Sequence, residues 1–177
     1  MIRLFTAIGL PADLVARLSL MQGGVPGARW SPPENLHLTL RFIGEVDEVV
    51  ANDIDDMLTG LRAAPFDLAL MGCGSFGSKD PHSLWIGVGP CPPLLHLVAR
   101  IDSLLQRMGL AAETRKYTPH VTLARLKDAP APRVQAFLAD HAAFTAGPFT
   151  VNAFGLYSSH AGSQGRHYVL ERRYPLG

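Results

Sequence analysis

The sequence predicts an α+β protein, and three observations carry that expectation. Strand-like and helix-like segments alternate along all 177 residues, with no linker, charge run or low-complexity stretch between them. The helical segments are amphipathic, so each must lay one face on a partner layer. The pattern His-x-Thr-Leu occurs twice, at His37-Leu38-Thr39-Leu40 and His120-Val121-Thr122-Leu123, both times in a strand-like setting. With 47% hydrophobic residues the chain can build one sizeable core, and its length favours a single domain over residues 1–177.

Element by element, Arg3 to Ile8 reads as a buried strand and Pro11 to Met21 as a short helix with Leu14, Val15, Leu18 and Met21 on one side. A Gly- and Pro-rich loop containing Trp30 leads to a strand from Leu36 to Ile43, which Gly44 is expected to close. Val46 to Leu61 has helical spacing, with its acidic residues turned outward. Phe66 to Met71 and Leu84 to Val88 read as strands around a Gly-rich loop, and Pro93 to Met108 as a second amphipathic helix. A strand from His120 to Leu126, a helix near Pro132 to Ala139, and strands near Phe149 to Tyr157 and His167 to Tyr174 complete the chain.

Charge and composition narrow the function. Sixteen Lys and Arg against fifteen Asp and Glu give a net charge of +1, which offers no global electrostatic grip on a long duplex. A small ligand or a chain end fits better. Cys73 and Cys91 form no CxxC pair and read as reduced. The opening MIRLFTAIGLP is too short and too soon closed by Pro11 and Asp13 to read as a secretory leader, and no apolar run reaches the roughly 18 residues of a membrane span. The expectation is a cytoplasmic protein with no membrane association and no obligate protein partner.

The repeated motif carries the chemistry. Side chains alternate across a strand, so His37 shares a face with Thr39 and His120 with Thr122, while Leu36, Leu38, Leu40, Val121 and Leu123 anchor the opposite faces. One His-x-Thr is weak evidence, since both residues suit an exposed strand face. Two copies 83 positions apart are not, because each follows prolines (Pro32 and Pro33, or Pro119) and runs into an arginine, Arg41 or Arg125. If an approximate twofold axis brings the polar faces together, two imidazoles and two hydroxyls converge. That set suits a phosphodiester: one imidazole activates a nucleophile, the other protonates the leaving oxygen, and the hydroxyls donate to the phosphoryl oxygens. A histidine pKa near 6.5 allows one neutral and one charged copy around neutrality.

At these residues the chain resembles the two-histidine phosphoesterase superfamily, and within it the RNA 2′,3′-cyclic phosphodiesterases historically called 2′-5′ RNA ligases. The likeness runs through RLFTAIGLP, ARWSPPENLHLTLRFIGEVDE, SLWIGV, YTPHVTLARL and LYSSHAGSQGRHYVLERRYPL, nearly the whole chain. It implies a bilobal fold with pseudo-twofold symmetry, in which two largely antiparallel sheets form a central cleft with helices on the outside. It also implies roles: His37 as general acid toward the departing 3′-oxygen, His120 as general base toward water, and Thr39 and Thr122 on the phosphate. Arg125 occupies the family's basic position near the phosphate. Phe42 stands where a terminal base or ribose is supported, although strict alternation puts Phe42 and Arg125 opposite their histidines unless a bulge intervenes. Trp30, Phe42 and Tyr157 are candidates to stack on a base. The implied partners are RNA 3′ ends or small cyclic nucleotides. The loop Gly77 to His82, less basic than its family counterpart, and the polar, acid-free Ser158 to Gly165 bear on substrate choice.

Other features are set aside. Gly72-Cys73-Gly74-Ser75-Phe76-Gly77 matches GxGxxG but leads into a strand instead of a helix, so it reads as a loop without a dinucleotide. His96 sits on the polar face of its helix and His141 at a helix end, while His82, His160 and His167 could each edge the cleft. No HExxH, Cys pair or carboxylate doublet completes a metal site around His37 and His120, so neither metal nor cofactor is expected. Two further readings stay open: joining of RNA ends through a 2′-5′ linkage by the same residues, and a nucleotide or RNA-end binding module without turnover.

Overall fold

The computed structural model describes residues 1–177. Its elements are β1 (Ile2–Gly9), α1 (Ala12–Met21), β2 (Ala28–Trp30), β3 (His37–Val46), α2 (Glu48–Thr59), β4 (Phe66–Phe76), β5 (Ser83–Val88), α3 (Pro92–Arg107), β6 (His120–Leu126), α4 (Ala131–His141), β7 (Thr145–Val151), β8 (Ala153–Gly162) and β9 (Gly165–Pro175), with a 3-10 turn at Pro33–Asn35. The α+β class stands, as do the two antiparallel lobes.

The strands run in the order β7-β4-β5-β6-β3-β1-β8-β9, with the short β2 added on β6. This order is symmetric about its midpoint: β3 answers β6, β1 answers β5, β8 answers β4 and β9 answers β7. The expected two sheets therefore meet edge to edge, joined through the single antiparallel pair Leu38 and Val121. Both of those side chains are fully buried, and the joint lies in the middle of the two His-x-Thr motifs.

All four helices contribute apolar faces to one core. Ile54 and Leu58 of α2, Leu94, Leu97, Ile101 and Leu105 of α3, and Val134 and Phe137 of α4 are buried with the outward strand residues Leu4, Ile8, Leu38, Leu40, Leu84, Ile86, Val121 and Leu123. Helix α2 lies against β1 and β9, α3 reaches from β3 to β4, and α4 lies on β4. Asp47 caps α2 by accepting from the Val50 amide at 2.9 Å, so Val46 ends β3 and does not open the helix. Two ion pairs tie helix to strand: Arg41 of β3 to Asp102 of α3 at 2.7 Å, and Arg172 of β9 to Asp55 of α2 at 2.8 Å. No helix is long and apolar enough to cross a membrane.

Several boundaries differ from the sequence expectation for identifiable reasons. Gly44 does not close its strand: its φ of +94° accommodates a bulge, and β3 continues to Val46. Gly72 to Phe76 form the second half of β4 instead of a loop, with Gly74 lying directly beneath the Trp85 indole, where an added Cβ would stand 2.4 Å from the ring. The single strand expected over Phe149 to Tyr157 is two strands in different lobes, and the chain crosses between them at Asn152. Ser158 to Gly165 is a hairpin arm and its turn. Trp30 lies in β2, and its ring packs on Phe137 of α4 at 5.7 Å, on the helix side. It is therefore not placed to stack on a ligand in the cleft.

Candidate active site

Register alone brings the motif side chains together. Leu38 and Val121 are paired across the seam and point into the core, so their neighbours His37, Thr39, His120 and Thr122 all project from the other face of the sheet. The imidazoles are close enough that a charge on His120 lowers the pKa of His37.

Both rings are held the same way. His37 Nδ1 lies 2.7 Å from the carbonyl of Asn35, and His120 Nδ1 lies 2.6 Å from the carbonyl of Thr118, in each case two residues earlier. A carbonyl only accepts, so each Nδ1 carries the hydrogen and each Nε2 is the unprotonated atom available for proton transfer. In His37 that Nε2 meets Thr39 Oγ1 at 2.9 Å.

The backbones of the motif threonines are clasped reciprocally. Tyr117, three residues before His120, donates its hydroxyl to the carbonyl of Thr39 at 2.8 Å, and Ser31, six before His37, donates to the carbonyl of Thr122 at 3.1 Å. Each motif is thus fixed by the segment leading into the other. Burial pushes the Tyr117 phenol well above its ordinary value, so it stays a donor.

A matched pair of bulges resolves where Phe42 and Arg125 point. Against β1, Thr39 is opposite Ala7, Arg41 opposite Thr6 and Phe42 opposite Phe5, so Leu40 is an extra residue. Against β5, Thr122 is opposite Trp85, Ala124 opposite Leu84 and Arg125 opposite Ser83, so Leu123 is the extra residue. Each bulge falls three positions after its histidine and shifts the alternation by one. Phe42 and Arg125, both five positions after a histidine, are thereby turned onto the histidine face.

The two rings rest on different walls. His37 lies beside Phe5 (centroids 5.1 Å apart), edge-on to Tyr168 at 5.2 Å, and near-parallel to Tyr157 at 6.3 Å; Phe5 in turn stacks on Tyr157 at 5.4 Å and touches Phe42 at 5.7 Å. His120 meets Phe76 edge-on at 5.0 Å and Trp85 at 5.8 Å. Phe42 remains 47% exposed, leaving a ring face for a ligand. Beyond Tyr157 lies a hollow of about 290 Å³ bordered by Gly9, Leu10, Phe149, Leu170 and Arg173.

Burial dominates the electrostatics. It pushes the His37 pKa down to about 4, against the smaller raising effect of the Asn35 carbonyl. His120 is also lowered, by burial first, with the Arg125 charge adding to it. Both imidazoles are therefore neutral near pH 7 in the free protein. The other histidines stand apart: His160 and His167 stack on each other at 5.1 Å in the β8–β9 hairpin, with His160 bonded to Ser158 at 2.7 Å, while His82 stacks on Phe76 at 6.3 Å. No three His, Cys, Asp or Glu side chains converge as a metal site would need.

Of the sequence candidates, His37, Thr39, His120, Thr122, Phe42, Arg125 and Tyr157 share one face of the sheet. Phe5, Ser31, Trp85, Tyr117 and Tyr168, which hold or flank them, carry no motif by which the sequence alone would single them out.

The chain is similar to known proteins of one family. Residues 12–163 match the family model of the 2′-5′ RNA ligase superfamily. An RNA 2′,3′-cyclic phosphodiesterase of Aeropyrum pernix is 41% identical over 119 residues, 65% of this chain and 67% of that protein. One from Thermus thermophilus is 32% identical over 98% of this chain and 90% of its own length. A crystal structure of a Thermus thermophilus protein superposes with a TM-score of 0.82 at 26% identity, covering 98% of this chain and 97% of the other. E. coli LigT in complex with 3′-AMP superposes with a TM-score of 0.78 at 27% identity, covering 99% and 98%.

Proposed function

The chain belongs to the 2′-5′ RNA ligase superfamily, and from that premise we propose that it is an RNA 2′,3′-cyclic phosphodiesterase that opens the terminal ring to a 2′-phosphate by acid–base catalysis without a metal. The observation that carries the reading is the pair of imidazoles on one face of the sheet with both Nδ1 atoms committed to carbonyls, which leaves Nε2 as the proton-transferring atom of each ring, open in His120 and against Thr39 Oγ1 in His37. Relatives with that activity and a neighbour that binds 3′-AMP support the choice of substrate.

The cyclic phosphate lies between the histidines, its non-bridging oxygens accepting from Thr39, Thr122 and Arg125. A water molecule attacks phosphorus while His120 Nε2 takes its proton. The bond to the ribose 3′-oxygen breaks on the far side, and that oxygen takes a proton from His37 Nε2. The products are a 3′-hydroxyl and a 2′-phosphate, and His37 and His120 exchange protonation states before the next turnover. The acid role requires a protonated His37, which burial disfavours in the empty site. The phosphate anion supplies the compensating charge, so the substrate raises the pKa of its own acid. Phe42 and Tyr157 offer the terminal nucleoside an aromatic wall.

The test is turnover of an RNA oligonucleotide ending in 2′,3′-cyclic phosphate, in excess chelator, with the product phosphate located by end-group analysis. A 2′-phosphate is expected. Tight binding without turnover would reject the hydrolase reading, and a 3′-phosphate would reverse the acid and base assignments.

A further inference from the structure

One end of the cleft holds three arginines that no carboxylate balances. Arg29 of β2 and Arg125 of β6 are directly opposite each other in the β2–β6 ladder, so both side chains leave the same face, which the β6 bulge makes the histidine face. Like charges at such a cross-strand position destabilise a sheet unless something offsets them. The ion pairs of the molecule are Arg41 with Asp102, Arg115 with Glu113, and Arg172 with Asp55; neither Arg29 nor Arg125 is among them.

The third member arrives from the other lobe. Arg29 Nη1 comes within 3.7 Å of the position a Cβ would take on Gly165, at the tip of the β8–β9 hairpin. The next residue, Arg166, is opposite Ala161, which shares the face of Ser159 and Tyr157. Its guanidinium is braced there by Ser159, with Nε to Oγ at 2.6 Å and Nη2 to the carbonyl at 3.0 Å. Two residues further, Tyr168 touches His37. Asn35 closes the connection: its side chain donates to the Arg166 carbonyl at 2.8 Å, and its own carbonyl accepts from His37 Nδ1. The hairpin arginine, Arg166, is therefore linked through Asn35 to His37, and the charge of Arg125 is felt at His120.

We propose that Arg29 and Arg166 form a second phosphate subsite, which holds the 5′-phosphate of the nucleotide bearing the terminal ring and so selects RNA ends over free nucleoside cyclic phosphates. This rests on the phosphodiesterase reading above and names its substrate class. An RNA chain brings phosphates at a fixed spacing, and the group next to the terminal ring is the linkage on the 5′ side of the same ribose. Two guanidiniums approaching from opposite lobes suit its two non-bridging oxygens, since arginine presents a planar fork to phosphate. The phosphodiester that binds there offsets the repulsion between Arg29 and Arg125.

The experiment compares kcat/KM for a nucleoside 2′,3′-cyclic phosphate, the same compound carrying a 5′-phosphate, and a dinucleotide ending in 2′,3′-cyclic phosphate. The wild-type protein should favour the two substrates with the added phosphate by about tenfold or more, the scale of a charge-assisted contact. Arg29→Ala and Arg166→Ala should each remove most of that preference while turning over the bare nucleoside substrate at the wild-type rate. That retained rate also reports an intact fold. Arg29→Lys should keep part of the preference. A wild-type protein indifferent to the added phosphate, variants that keep the preference, or variants that lose all three substrates equally would each overturn the subsite. Failure of the wild type on the bare nucleoside substrate as well would instead reject the parent reading.

Discussion

The two lobes use one device to deliver different chemistry. Each His-x-Thr-Leu strand makes a bulge at the third position after its histidine, and each bulge turns the fifth residue onto the histidine face. In the first lobe that residue is Phe42, against Phe5, which in turn stacks on Tyr157. In the second it is Arg125, opposite Ser83 and beside Arg29. The symmetric part of the site, two imidazoles and two threonines, suits the symmetric part of the proposed substrate, a phosphate cleaved in line. The asymmetric part separates nucleoside from charge. A symmetric pair of lobes could not decide which bridging oxygen leaves; in the proposed reaction the fifth residues can, because Phe42 would meet the nucleoside on one side and Arg125 the phosphate on the other.

The largest effect should come from breaking the symmetric element. His37→Ala and His120→Ala should each lower kcat by about 10²–10⁴, the usual contribution of a positioned acid or base, with KM nearly unchanged. The double variant should lose little more than either single one, because acid and base act in one step. Steady-state kinetics on a cyclic-phosphate oligonucleotide checks all three. A multiplicative double variant would mean that the histidines act in separate events.

Breaking the asymmetric element should cost less and divide by parameter. Arg125→Ala should lower kcat/KM by roughly 10–10³, as a lost transition-state donor does. Phe42→Ala should act chiefly on KM, by about tenfold, as a lost stacking face does. The arginine also has a pH signature. Its charge lowers the His120 pKa, so its removal must raise that pKa. His120 as base must be neutral, and the acid limb of the kcat/KM profile should move to higher pH in Arg125→Ala but stay in place in Phe42→Ala. An unmoved limb would assign the base elsewhere.

The lobes also differ in how deeply their histidines are sunk, and stability reports this. The His37 pKa falls from 6.5 to about 4 on folding, so between those values the unfolded chain binds more protons than the folded one. Stability should therefore decline as pH drops from 6.5 toward 4, with a loss on the order of 1–3 kcal/mol assigned to this residue. His37→Gln should flatten the decline in urea titrations across that window. An unchanged slope would show that the ring titrates normally in the fold.

The asymmetry was only partly legible in the sequence. The α+β class, the amphipathic helices and the shared face of His37 with Thr39 and His120 with Thr122 follow from periodicity, because a two-residue repeat survives any strand neighbour. The placement of Arg125 needed the bulge. A trace of it is present: apolar residues at 121 and 123 shift phase to 124 and 126, and all four are buried. β3 leaves a fainter trace, since Arg41, in the apolar phase, satisfies its charge through Asp102 of α3, sixty-one residues away. The crossing at Asn152 and the pairing of β2 with β6 depend on contacts between distant segments, which local pattern does not encode. The same holds for Tyr117 and Ser31, whose function is set by where their hydroxyls land.

Those two hydroxyls allow the smallest and sharpest test of the comparison. Tyr117→Phe and Ser31→Ala each remove one hydrogen bond to a motif threonine carbonyl, and each should cost about 1 kcal/mol of stability in urea denaturation. Both carbonyls flank the one seam pair, Leu38 and Val121, that joins the lobes. If the clasps hold the seam jointly, the double variant should lose more than the sum of the single losses, because the second contact restrains what the first releases. Strict additivity would mean that each lobe holds its own motif. The convergence of the histidines would then depend on core packing of Leu38 against Val121, and a Val121→Ala variant would separate the lobes more effectively than either clasp.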